Sequence, residues 1–163
     1  MATKSNNSHL YTLALLRIGL GYVFLWAFVD KLFGLKFSTC KDLSVGCKQA
    51  WIHGGSPTAG FLGHATTGPL AGFYHHLAGQ AWVDWLFMLG LLFVGVGMVF
   101  GTWIRSAAAA GICLLVLMWS SLLWPADAPG VDEHIIYILV MIVFLVGSFP
   151  NKWAVRLPWI KLP

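Results

Sequence analysis

The residues able to do chemistry in this sequence are few and unevenly placed. Five of the six histidines, His53, His64, His75, His76 and His134, lie between or at the edges of long apolar runs, and so do the acids Asp30, Asp84, Asp132 and Glu133. The densest group is Asp132-Glu133-His134. Histidine changes charge near neutral pH, so a cluster of histidine and carboxylate at a membrane face can relay protons, hydrogen-bond a quinone head group or bind a metal. No i, i+4 or comparable ligand spacing accompanies it, so no metal is expected. Plainer uses exist for each group. Asp84, Asp132 and Glu133 suit the openings of helices, where acids are favourable, and His75 and His76 suit interfacial packing. Asp30 would end a helix, where an acid faces the wrong dipole, and so calls for a partner: Lys31, a histidine or a ligand. Arg17 either snorkels to the membrane surface or holds a head group or carbonyl inside the bundle.

The elements that must position these groups are written in the composition. Of 163 residues, 58% are hydrophobic and 10% charged, and the mean hydropathy is +0.76. Soluble domains carry about a quarter charged residues, so lipid is the expected solvent. The nine Trp and four Tyr fit two water–lipid boundaries. The Lys and Arg are scattered, which excludes a nucleic-acid-binding stripe. The pattern predicts one domain over residues 1–163, an all-α integral membrane fold of four transmembrane helices at about 10–34, 82–101, 104–125 and 132–149. The first apolar run is too long for a signal h-region and is read as a retained helix. Gly101 and Arg105 mark a tight turn between the second and third spans, and Pro125, Pro129 and Gly130 end the third. Gly97-x-x-x-Gly101 and Ala107-x-x-x-Gly111 offer close helix approach, although Gly is simply common in membrane helices.

Four spans place both termini and the loop at Arg105 on one side. That side holds Lys4, Arg17, Arg105, Lys152, Arg156 and Lys161 and no acid, and the other holds Lys31, Lys36, Lys41, Lys48 and all six acids. Six positives against four favour cytoplasmic termini in a multi-pass plasma-membrane protein. The outer connection between the first two spans runs to roughly fifty residues and is expected to fold on itself. Its Gly- and aromatic-rich second part predicts short interfacial or re-entrant helical segments that form a lid or floor over the bundle, one of them starting at Ser56-Pro57. Cys40 and Cys47 in its polar first part are expected to form a disulfide in an oxidising compartment, with thiol exchange as the weaker alternative. Cys113, mid-helix among Ile and Leu, reads as inert packing.

Leu16-Arg-Ile-Gly-Leu-Gly-Tyr-Val-Phe-Leu-Trp26 running into Asp30-Lys-Leu-Phe-Gly-Leu35 resembles the opening of DoxD/DoxX-type membrane proteins. The resemblance continues through Trp51-Ile-x-Gly-Gly-Ser-Pro-Thr-x-Gly-Phe-Leu62, Gly68-Pro-Leu70, Leu77-Ala-Gly79, Val83-Asp-Trp-Leu-Phe-Met88 and Asp132-Glu-His-Ile-Ile-Tyr137. It implies a four-helix subunit of a thiosulfate:quinone oxidoreductase, in which the large DoxD subunit works with a smaller DoxA subunit, thiosulfate is oxidised to tetrathionate and electrons pass to membrane quinone. A DoxA-like or other redox subunit, an oligomer or a larger respiratory assembly, and membrane lipid are the partners expected. The Cys40–Cys47 segment is not part of the family pattern. On this reading Asp30, Lys31, His53, Asp84, Asp132, Glu133 and His134 are the catalytic candidates that deliver protons or orient quinone carbonyls. Lys31 and Lys36 would attract the anionic substrate. Trp26, Trp51, Phe61, Trp85 and Arg17 are the quinone-binding candidates, although aromatic belts explain the rings as well. Quinone is the only cofactor expected, as electron acceptor, since no flavin, haem or iron–sulfur motif is visible. The rival reading is a non-catalytic membrane subunit of a respiratory or redox complex.

Overall fold

The computed structural model describes residues 8–39, 50–125, 128–147 and 152–155, and all regular structure among them is helical. Five α-helices follow in order: α1 Ser8–Phe33, α2 Ala71–Leu77, α3 Ala81–Phe100, α4 Ile104–Ser121 and α5 Glu133–Val146. Three of them, α1, α3 and α4, are long and apolar enough to cross a membrane. The ends of the first two lie within two residues of the expected spans. The third stops at Ser121 because Leu122 leaves the helical region at φ −106° and ψ 13°. α5 has 14 residues, about 21 Å of helix at 1.5 Å per residue. It ends at Gly147, whose backbone is extended.

α1 packs on α3, α3 on α4 and α4 on α5. The first pair is antiparallel and unusually close. A Cβ on Gly21 would lie 2.7 Å from the Val99 nitrogen, and one on Gly95 would lie 2.8 Å from the Leu25 backbone. In lipid, apolar burial drives helices together only weakly, so such small-residue contacts carry the association. Gly97 meets Ala107 across the α3–α4 pair, and Gly111 meets Met141 across α4–α5. The small residues of the two expected motifs are therefore used within the chain. Met88, Val94, Met98 and Met141 are fully buried at the centre, joined by Leu20, Phe24, Leu115, Ile138 and Phe144. Leu15, Leu86, Leu89 and Val146 face outward, as helices solvated by lipid tails require.

Residues 50–80 lie against one end of these helices in short helical pieces. A 3-10 turn at Trp51–His53 is closed by Gly54 at φ 82°, and a π turn spans Phe61–Ala65. Ser56 Oγ accepts from the Ala59 amide at 3.0 Å in the turn between them. The segment is tied to the end of α4, where the Thr67 amide donates to Ser121 O at 3.0 Å and the Tyr74 hydroxyl bonds Ser120 Oγ. Gly68, at φ 74°, lies so close to the Leu123 carbonyl that no Cβ fits. The expected Cys40–Cys47 disulfide lies outside the described residues.

Candidate functional site

Asp132 precedes α5 in extended conformation, and its Oδ1 accepts from the amides of His134 at 3.0 Å and Ile135 at 3.3 Å. This is the expected N-cap, satisfying two of the helix's orphan donors. The second carboxylate oxygen meets His134 Nδ1 at 2.7 Å. A carboxylate only accepts, so Nδ1 carries the hydrogen and Nε2 is the nitrogen left for other chemistry. The imidazole is buried, with 8% of the residue exposed. Burial pushes the Asp132 carboxyl up, but the His134 ring and the two amides outweigh it and hold the group below the ordinary aspartate range. Glu133 is exposed beside this pair. Among the described residues these three are the one group of His, Cys, Asp and Glu whose donor atoms lie close enough to share an ion, within 4.8 Å of one another. Both Asp132 oxygens are already occupied by the helix amides and by His134.

The other two buried carboxylates serve the backbone. Asp30, on the last turn of α1, is 1% exposed. Its hydrogen-bond partners are in the chain that follows: it accepts from the amides of Phe37, Ser38 and Thr39 at 3.1, 3.0 and 2.9 Å and from Ser38 Oγ at 2.7 Å, while the Lys31 charge lies near it. The acid thus offsets its unfavourable place at a helix C-terminus by satisfying the amides of the turning chain. Lys31 turns to Ser38 Oγ at 3.3 Å.

Asp84, in the first turn of α3, does not cap its own helix, whose N-cap is Gln80 with no side-chain bond. One oxygen accepts instead from Ser56 Oγ at 2.8 Å, Thr58 Oγ1 at 2.6 Å and the Thr58 amide at 3.2 Å. Asp30 and Asp84, at the close of α1 and the opening of α3, therefore clamp two parts of the long connection, residues 37–39 and 56–58, to the helices. Ser56, Thr58 and Ser38 escaped the sequence reading as site residues, because hydroxyls in turns carry no signal of a distant partner.

The aromatic candidates divide. Trp51 and Trp85, the latter next to Asp84 in sequence, meet edge to face with centroids 4.6 Å apart. Trp26 packs against Phe37 at 5.0 Å and Tyr22 at 6.0 Å. Phe61 is half-buried in the π turn, and His53, His64, His75 and His76 are exposed on the short helical pieces. Arg17 belongs to the opposite end. Its guanidinium is 2% exposed and donates to Met98 O, to Val99 O at 3.3 Å and to Lys152 O at 3.3 Å. The carbonyl alternative is the one realised. Met98 is fourteen residues beyond Asp84 on α3, about 21 Å along the helix, so Arg17 does not share a ring site with Trp85. Cys113 is free and exposed on the outer surface of α4 rather than packed inside.

Compared with family models, with curated proteins and with solved structures, the chain matches none.

Proposed function

We propose that this chain is a DoxD/DoxX-like, four-span membrane subunit of a quinone-linked redox system, with His134 oriented by Asp132 as its proton-handling group. The observation that carries the reading is the 2.7 Å contact between the buried His134 ring and Asp132. Reduction of a quinone to its quinol consumes two electrons and two protons. Oxidation of two thiosulfate ions to tetrathionate supplies the two electrons. A ring whose Nδ1–H is held by a carboxylate presents Nε2 for hydrogen bonding to a quinone oxygen, and the carboxylate steadies the imidazolium formed when the ring takes up a proton. Trp51 and Trp85 are the aromatic pair best placed to border a quinone ring at this end, and Lys31 and Lys36 would raise the local concentration of an anionic sulfur substrate. On this reading α5 is the fourth span, the short pieces of residues 50–80 lie in the outer interface, and the termini are cytoplasmic in the plasma membrane. A DoxA-like or other redox subunit completes the assembly.

The hydrogen bonds of Asp30 and Asp84 favour a second reading, a non-catalytic membrane subunit, because both acids are taken up by the chain's own loops. The two separate in one assay: thiosulfate-dependent reduction of a short-chain quinone by the purified protein, alone and with candidate soluble subunits. The catalytic reading expects turnover that His134→Gln abolishes in a folded variant and that Asp30→Asn retains. Absence of turnover in every combination, with assembly intact, selects the second reading.

A further inference from the structure

We propose that the end of the molecule carrying Arg17, Arg105 and Lys152 is a docking surface for the headgroups of anionic phospholipids. Four features meet there. First, charge is segregated: all four described acids, Asp30, Asp84, Asp132 and Glu133, lie at the opposite end, at the close of α1 and the openings of α3 and α5. Second, α1 and α4 both begin at this end, so two helix N-termini direct their positive poles toward it. Two negative poles also end here, the C-termini of α3 and α5, and the first is covered by the Arg17 guanidinium on Met98 O and Val99 O. The helix poles therefore nearly offset one another, and the positive charge of this end is that of its side chains.

Third, the cations sit among exposed rings. Phe100, Trp103 and Trp153 are each 45–54% exposed, and Tyr11 is 43% exposed. Rings of this kind settle at headgroup depth and place neighbouring ammonium and guanidinium groups beside the phosphates. Fourth, the segment bearing Lys152 is pinned. Lys152 O accepts from Arg17, the Val155 amide donates to Phe100 O at 2.9 Å, Trp153 packs on Tyr11 at 5.5 Å, and Lys152 Nζ lies 5.8 Å from the Tyr11 ring centroid. Arg17 is thus a positioning residue: buried itself, it holds a half-buried cation alongside α1. Arg105, exposed on the first turn of α4, supplies a second.

The occupant is a lipid rather than free phosphate, because only a diacyl lipid also uses the apolar flanks of α1 and α4 below the rings. Native mass spectrometry of the whole protein in detergent, titrated with phosphatidylglycerol and separately with phosphatidylcholine, tests this. Phosphatidylglycerol is expected to bind more tightly, with a preference that shrinks as salt is raised. Lys152→Gln and Arg105→Gln are each expected to weaken phosphatidylglycerol about five-fold, the factor for one charge at a membrane surface, and to leave phosphatidylcholine unchanged. Lys36→Gln, at the opposite end, is expected to change neither. Arg17→Gln is expected to reduce the preference without altering surface charge at the site, and if it fails to fold the two surface variants decide. Equal affinity for both lipids, indifference to both surface variants, or full displacement of phosphatidylglycerol by equimolar inorganic phosphate would overturn the proposal.

Discussion

Asp84 separates a structural acid from a catalytic one, because its neutral isostere keeps the geometry. Asp84 is 6% exposed, and a single oxygen accepts three bonds, from Ser56 Oγ, Thr58 Oγ1 and the Thr58 amide. Bonds to a charged acceptor contribute about 1.5 kcal/mol each, so Asp84→Ala is expected to cost about 4.5 kcal/mol and to release the Ser56–Thr58 turn. In Asp84→Asn the amide oxygen can occupy the same position and accept the same three donors. Neutral bonds are about half as strong, so the cost falls to about 2 kcal/mol. The gap between the two variants, about 2 kcal/mol, is the quantity to measure, by reversible unfolding in mixed micelles followed through tryptophan fluorescence. Trp51 and Trp85 report directly on the docking of this segment, since their rings are in contact. Quinone reduction measured on the same preparations completes the test. A clamp expects Asp84→Asn to retain turnover in proportion to its folded fraction. Asparagine as destabilising as alanine would refute the hydrogen-bond assignment. A fully folded Asp84→Asn without turnover would return Asp84 to the chemistry.

Other outcomes follow from the same geometry. Gly21→Ala places a methyl 2.7 Å from the Val99 nitrogen and is expected to cost about 1–3 kcal/mol, whereas Gly19→Ala meets nothing within 4 Å and is expected to stabilise slightly. Equal effects from the two, in the same unfolding assay, would contradict the close α1–α3 approach. The Asp132 carboxyl titrates below the ordinary aspartate value in the folded protein. Its contribution is therefore complete above about pH 3.9 and is lost as pH falls through the lowered folded value. Asp132→Asn keeps a capping side chain and is expected to flatten that acid limb while changing stability at pH 7 by no more than about 1 kcal/mol. A wild-type acid limb of unchanged steepness in the variant would show that Asp132 does not carry it.

The all-helical membrane class and the ends of α1 and α3 were legible in the sequence. Both depend on runs of apolar residues against a solvent that tolerates nothing else, and that constraint acts on each segment separately. The α5 cap was legible for the same kind of reason: an aspartate two and three residues before the amides it satisfies is a local arrangement, formed within one turn. The roles of the ionisable residues were not. Asp30 and Asp84 read alike as costly acids at helix ends, and nothing in their own neighbourhoods says that one binds the chain seven to nine residues on and the other a turn twenty-eight residues back. Arg17 likewise has two uses in sequence, snorkelling or an internal carbonyl, and its reach to Met98 and Lys152 exists only once α1 and α3 pack through Gly21 and Gly95. Composition and periodicity determined which segments are helical and apolar enough to cross a membrane. Which buried charge meets which partner was decided by tertiary packing, because a hydrogen bond needs its two groups within about 3 Å and only the assembled helices bring such distant residues that close.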